Sequence, residues 1–559
     1  MVQALKSVHA ELTSYQSRAE IPDLPLKVVP DDPVVLLRDQ IEMGSDDART
    51  LVRSLAVSRM LVGASRDVVQ RVVEVEEFAE SEPLLLAGAA LAYSWLDIAE
   101  SAVARATSEL AQAARPELAD VMSLALLNMA MARQQGDAVA GLGHARQLQE
   151  LMGKLTMSER ARTPELSPLI DYYVAGFELC LGNLNTARWT LERGAGRFRQ
   201  WVDHRGLDVG ANSTERRVRA DCAGQLSWID AFCGDLRRAT WYATSLITDR
   251  PSASDHNGLA FSHLAIAWTH LERGEVERAT QSLDHALGTF SDTVEPLLAA
   301  AERLTRVRLA TMSGEPETAL RLLHPVETSS RWFADQFRVA RAEAWLAAGE
   351  PQQAIATLSP EPELARADGR LILVAALRRA GDLAAAEQML ARVPSDPIEI
   401  SLISQVKRLL LQAELAVEHG NRERVRLLVD RALRAAAREQ LRSAVGSAGA
   451  WIRSLVAAGP DLLRRYSAFL ASLPEVAMPA AQQRASANGS QDPTYVVPLT
   501  AREIDVLKGL AEYCSNEEIA ADLVLSLNTV KTHMRSLFQK LSVSRRADAV
   551  RRGRALGLC

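Results

Sequence analysis

The sequence predicts an all-α protein: a stack of helical hairpins, then a linker, then a small four-helix unit at the C-terminal end. Three observations predict this. Ala, Leu and Arg recur along 559 residues in which aromatics make up only 5%, and these are good helix formers with few β-branched runs among them. A small glycine turn returns eight times at a mean spacing of about 41 residues. The last 61 residues alternate helix-capping residues with short apolar stripes at helical spacing.

A chain this long exceeds the ~250–300 residues at which a single hydrophobic core stops growing, so at least two domains are expected. The apolar share of 48% and charged share of 24% are those of a globular protein in water. The five cysteines, Cys180, Cys222, Cys233, Cys514 and Cys559, are scattered without CxxC or zinc-finger spacing, so reduced thiols are expected. The N-terminal MVQALKSVHAELTSYQ has no apolar core of a secretory signal. The longest apolar stretch, around Leu84–Tyr93, is far short of a bilayer span. A cytoplasmic location away from membranes is the expectation.

Charge is segregated. From Ser526 onward eight cations, Lys531, Arg535, Lys540, Arg545, Arg546, Arg551, Arg552 and Arg554, face one acid, Asp548, a net of +7. Residues 499–525 carry −4, so the C-terminal unit is +3 and the remainder of a −6 chain is −9. A basic end on an acidic body suits local phosphate binding better than general stickiness to nucleic acid.

The glycine turns are GDAVAG at Gly136, GNLNTA at Gly182, GDLRRA at Gly234, GEVERA at Gly274, GEPETA at Gly314, GEPQQA at Gly349, GDLAAA at Gly381 and GNRERV at Gly420, with LDIAESA near Asp97 a degenerate earlier copy. Glycine can end a helix in the left-handed conformation at little cost. A small residue at the sixth position lets the next helix pack back closely, and a Leu or Ile beyond it fills the gap. One such hairpin cannot bury its apolar face alone, but a stack can. The same pattern also describes an unrelated helical bundle. Trp189, Trp228, Trp241, Trp268 and Trp345 fall near these turns, where core packing is expected.

On this basis residues 45–473 form the repeat domain, and residues 1–44 are left unassigned, since the prolines of IPDLPLKVVPDDP forbid a helix there. Residues 474–498, rich in Pro, Ala, Gln, Ser and Asn, read as a flexible linker. Residues 499–559 are the terminal unit. In it, Thr500 with Glu503 and Ser515 with Glu518 have capping-box spacing. Ser526 and Ser544 are N-caps for a third and a fourth helix. The second helix, about 516–523, buries Ile519, Ala520 and Leu523. The third carries one stripe, Val530, Met534, Leu537 and Leu541, with Lys531, Thr532 and Arg535 on its other side. A helix docked by that stripe presents its cationic N-terminal half to a partner. Lys and Arg can pair with guanine O6 and N7, and the Thr methyl can meet a thymine methyl.

At these residues the unit resembles the LuxR-type family of helix-turn-helix regulators. The run shared with the family is Thr500, Arg502, Glu503, Leu507, Ser515, Asn516, Glu518, Ile519, Ala520, Leu523, Ser526, Thr529, Val530, Lys531, His533, Leu537, Lys540, Leu541, Ser544, Arg545 and Ala549. The resemblance implies DNA base contacts by Lys531, Thr532 and Arg535. It implies backbone contacts by Ser526, Asn528, Thr529, His533 and Arg545, and dimerisation on double-stranded DNA through the last helix, about Arg545–Leu556. Tyr513 stands where the family usually has Gly, and Ala501 where Pro is common. The repeat body resembles the tetratricopeptide-like (TPR-like) solenoid of MalT-type members of that family, without their ATPase domain, since GxxxxGK[ST] is absent.

No hydrolase, zinc-protease or dinucleotide fingerprint is present, so no enzyme activity, metal or cofactor is expected. The expected function is sequence-specific transcriptional regulation, with an effector ligand or protein on the concave face of the repeats and RNA polymerase as a further partner. The alternative is a helical-repeat interaction scaffold whose helix-turn-helix end binds protein. Without the motif, Lys531 and Arg535 would read as a solvated face, and His533 stands open between a phosphate contact and a surface histidine.

Overall fold

The computed structural model describes residues 57, 58 and 61, residues 83–471 apart from 93, 158–159, 161–162, 197–212, 250–256, 289–294, 325–327, 329, 360–365, 397–399, 447, 449–450, 453–454 and 456–459, and residues 499–550 apart from 500, 512–514, 524, 541–545 and 547–548. Residues 1–44 and the expected linker 474–498 lie outside them. The chain divides into two compact units, Met1–Ala477 and Met478–Cys559.

Among the described residues every regular element is a helix. In the first unit they run as nine antiparallel pairs: α1 Pro83–Ala92 with α2 Leu96–Gln112, α3 Leu118–Gln135 with α4 Ala138–Gly153, α5 Leu166–Leu181 with α6 Leu184–Ala195, α7 Ser213–Cys233 with α8 Leu236–Asp249, α9 Asn257–Glu272 with α10 Val276–Gly288, α11 Pro296–Met312 with α12 Pro316–Leu322, α13 Arg331–Ala347 with α14 Pro351–Leu358, α15 Ala367–Arg379 with α16 Leu383–Ala391, and α17 Leu402–Glu418 with α18 Arg422–Glu439. Two further helices, α19 Arg442–Gly446 and α20 Pro460–Ala471, close the stack. The body is a solenoid of stacked helical hairpins. None of the described helices is long and apolar enough to cross a membrane.

The hairpin turns follow from the sequence repeat. All eight expected glycines have positive φ, from +70° at Gly420 to +93° at Gly234. In each, the residue after the glycine donates its N–H to a carbonyl five residues back, as Asp137 does to Ala132 at 2.8 Å and Asn421 to Ala416 at 3.0 Å. That bond satisfies a carbonyl the helix end leaves bare. Asp137, Asp382 and Asn421 then cap the following helix through their side chains. The sixth position is buried throughout: Ala187, Ala239, Ala279, Ala319, Ala354 and Ala386 are at most 1% exposed. At Gly141 an added Cβ would stand 2.2 Å from Phe177 Cζ. The degenerate first copy turns at Ser94, which takes the left-handed conformation at φ +57°.

The tryptophans divide. Trp228 and Trp268 are core residues, Trp228 stacking on Phe333 and Trp268 meeting Phe232 with centroids 5.3 Å apart. Trp241 and Trp345 are half-buried. Trp189 corrects the expectation of core packing: it is 60% exposed, with the Arg193 guanidinium 4.7 Å above its ring. The buried face of α6 is set by Ala187, Thr190, Leu191 and Ala195, which leaves position 189 outside.

The stack coils back on itself, so residues far apart in sequence touch. Arg366 donates to the carbonyls of Gly182 at 2.6 Å and Leu181 at 3.3 Å. Glu439 accepts the Arg237 N–H at 2.9 Å, and Arg442 reaches the Arg273 carbonyl and the Glu275 carboxylate. Cationic arginines of the later pairs thus cap helix C-termini of the earlier ones, where the helix dipole favours them. A buried pair, Arg133 with Glu295 at 2.6 Å, ties α3 to the start of α11.

The first helices of the later pairs, from α7 to α17, face a common interior. It holds a cavity of about 60 Å³ whose walls include Phe232, Trp268, Glu272, Arg308, Glu343 and Lys407. Arg308 bridges Glu272 at 2.9 Å and Glu343 at 3.1 Å, and Lys407 adds a bond to Glu343 at 2.8 Å. Burial disfavours ionisation of Glu343, but Lys407 and Arg308 outweigh it and hold the carboxyl down to about 2. Glu272 Oε2 and Trp268 Nε1 are buried without hydrogen-bond partners among the described residues.

Candidate nucleic-acid interface

The second unit places α21 Ala501–Ala511, α22 Asn516–Asp522 and α23 Leu527–Lys540 around its own core of Val506, Leu507, Leu510, Ile519, Ala520, Val530, Leu537 and Ala549. Close approach of α21 to α22 depends on Gly509, where a Cβ would lie 2.8 Å from Ile519 Cγ1.

The starts of α22 and α23 are set by caps. At α22 the box is complete: the Glu518 N–H donates to Ser515 Oγ at 3.2 Å, and the Ser515 N–H donates to Glu518 Oε2 at 2.6 Å. These bonds lower the Glu518 pKa. The turn closes with the Leu525 N–H on the Ala520 carbonyl at 2.9 Å. Ser526 then caps α23, its Oγ accepting the Thr529 N–H at 3.1 Å and lying 2.7 Å from the Thr529 hydroxyl. The expected boxes at Thr500 and the cap at Ser544 lie outside the described residues.

The docked face of α23 is Val530 and Leu537, both fully buried, with Met534 and Phe538 partly so. The opposite side exposes Lys531, Thr532 and Arg535. At 100° per residue these three fall within one arc of about 100°, with Lys531 and Arg535 one turn apart. Of the expected backbone contacts, Ser526 is exposed at the helix start, and Thr529 and His533 are half-buried beside it. The backbone of Asn528 belongs to α23; Arg545 and Leu541 lie outside the described residues.

Two contacts of the site escaped the sequence reading. Glu503, read there only as a capping residue, is 3% exposed and accepts Ser536 Oγ at 2.6 Å and Lys540 Nζ at 2.5 Å, fastening α21 to α23. Lys540, one of the cations of the basic C-terminal segment, is thus committed to an ion pair within the domain. Arg546 lies 3.5 Å from Asn516 Oδ1, beside the start of α22. No local sequence signal marks the pair, since Lys540 lies 37 residues downstream of Glu503.

A short helix, a four-residue turn and a second helix docked by one stripe with cations on the other define a helix-turn-helix DNA-binding domain. Residues 497–552 match the family model GerE, described as bacterial regulatory proteins, luxR family, so this unit is a LuxR-family helix-turn-helix domain. The chain as a whole is similar to a chain of the "Crystal structure of APC/C hetero-tetramer Cut9-Hcn1", with 13% identity over 93% of this chain and 98% of that one and a TM-score of 0.38.

Proposed function

We propose that this protein is a sequence-specific transcriptional regulator of the cytoplasm, reading double-stranded DNA through Lys531, Thr532 and Arg535. The observation that carries this reading is the exposed arc of α23 opposite a buried Val530 and Leu537. Ser526, Asn528, Thr529, His533 and Arg545 hold the DNA backbone, with the helix N-terminus of α23 favouring phosphate. The last helix pairs two copies on a two-fold site, and RNA polymerase is the partner that turns binding into output. Salt-dependent binding of promoter fragments by the full chain, followed by fluorescence anisotropy, tests it. A chain that binds no duplex at moderate salt is not such a regulator.

The repeat body receives the effector. The interior cavity supports a small ligand: Glu272 Oε2 wants a donor and Trp268 Nε1 an acceptor, and a buried polar atom left unsatisfied is costly. At about 60 Å³ it is smaller than the ~150 Å³ cavity that admits benzene, so it suits a group of a few heavy atoms. The alternative, a repeat scaffold for proteins, is favoured by the exposed Trp189 under Arg193 on the outer surface. Under that reading Lys531→Glu leaves the protein's activity intact.

A further inference from the structure

Within the repeat body, charge collects at one end. Residues 401–471 carry twelve Lys and Arg against six Asp and Glu, a net of +6, whereas residues 1–400 carry −14. From residue 422 to 471 every cation is an arginine. On α18 the buried stripe is Val425, Leu428, Val429, Ala432, Leu433 and Ala436. Opposite it, Arg424, Arg431, Arg434 and Arg438 are exposed along about 21 Å of helix. Arg464 and Arg465 of α20 are exposed too, and Arg465 and Tyr466 meet Asp430 of α18 at 3.2 and 3.0 Å, joining both helices into one basic face.

Among the described residues few carboxylates pair with Arg424, Arg431, Arg434 and Arg438. Asp430 is shared between Arg434 at 2.8 Å and Arg465, and Glu439 gives one oxygen to the Arg237 N–H and holds the other 4.0 Å from Arg438 Nε. Among the described residues neither Arg424 nor Arg431 has an ion pair with a carboxylate. Beyond burial, the charge of Arg431 lowers the pKa of Arg408, whose Nε is buried without a hydrogen-bond partner among the described residues.

We propose that the α18–α20 face is a second DNA-binding surface, taking the phosphate backbone of duplex flanking the sequence read by α23. The planar guanidinium fork suits phosphate oxygens better than an ammonium does. A duplex held by the C-terminal domain meets this face as part of the same molecule, at high effective concentration. The proposal rests on the DNA-binding reading above.

The test uses the full chain on a 60-base-pair duplex enriched by that chain from a random-sequence library, with anisotropy read from low to moderate salt. Each phosphate neutralised adds about 0.9 to the slope of log affinity against log salt. R424Q/R431Q/R438Q should lower the slope by about 2 to 3 and weaken binding about tenfold or more, with an unchanged thermal midpoint. R424K/R431K/R438K should keep most of the slope. K531E/R535E should keep weak residual binding that vanishes when the three Gln substitutions are added. Wild-type affinity and slope in the Gln variant, including the case where it loses only an acidic protein partner, overturns the second surface and leaves the DNA-binding reading standing. No binding by the wild-type chain overturns both.

Discussion

Glu503 and Lys540, 37 residues apart in sequence, meet at 2.5 Å across the helix-turn-helix domain. Their side chains are 4% and 17% exposed, so the pair fixes where the recognition helix sits on the first helix. Removing one partner of such a pair strands the other's charge, and Glu503→Gln should cost about 2–4 kcal/mol in unfolding of the C-terminal unit. A cycle with Lys540→Met, read by urea denaturation of the full chain, should be non-additive. Additive costs would mean that the pair does not couple the helices.

The proposed base contacts predict a different pattern. Lys531→Ala and Arg535→Ala should each weaken a selected site by about 1–3 kcal/mol and relax preference at one base position, with little loss on unrelated duplex. Competition binding against a mutated site series measures this. Equal losses on every sequence would reassign these residues to phosphate.

Turn glycines predict a purely conformational effect. At Gly314, φ is +77° and an added Cβ would touch nothing within 4 Å. Gly314→Ala should therefore cost about 1–2 kcal/mol through the left-handed backbone alone. Gly143 also has open space but lies inside α4 with no positive φ. Gly143→Ala should stabilise by about 0.5–1 kcal/mol. Differential scanning calorimetry of the two variants should give midpoints on opposite sides of the parent.

Glu343 predicts a pH window. Its folded pKa, about 2, lies below its ordinary 4.5. A depressed carboxylate contributes stability that is fully present above the unfolded value and is lost as pH falls through the folded one. Glu343→Gln should thus destabilise the body by about 2–4 kcal/mol at pH 7. The gap from the parent should narrow between pH 4.5 and 2 in urea titrations. A gap constant with pH would mean that Glu343 acts by packing alone.

What was legible in the chain was local. Eight hairpin turns could be read because glycine at a positive φ and a small residue five positions on are requirements of one short segment. The turn at Ser94 could not, since nothing in serine announces a left-handed backbone. In the DNA-binding domain the exposed arc of Lys531, Thr532 and Arg535 followed from helical period, as did the Ser515 and Ser526 caps. Trp189 was placed inside from residue type, although the period of Ala187, Leu191 and Ala195 argued otherwise. The links from Glu503 to Lys540 and from Glu272 through Arg308 and Glu343 to Lys407 join distant segments, and no pattern of neighbours specifies them.

Repeat arrays whose members touch only the next in line can be shortened from either end and still fold. The bond from Arg366 to the carbonyls of Leu181 and Gly182, and that from Glu439 to the amide of Arg237, deny this chain that freedom. Deleting the final hairpins would strip the covering from helix ends laid down some 200 residues earlier. The body should accordingly melt as one cooperative block, and a displacement at its far end need not travel hairpin by hairpin to reach its beginning.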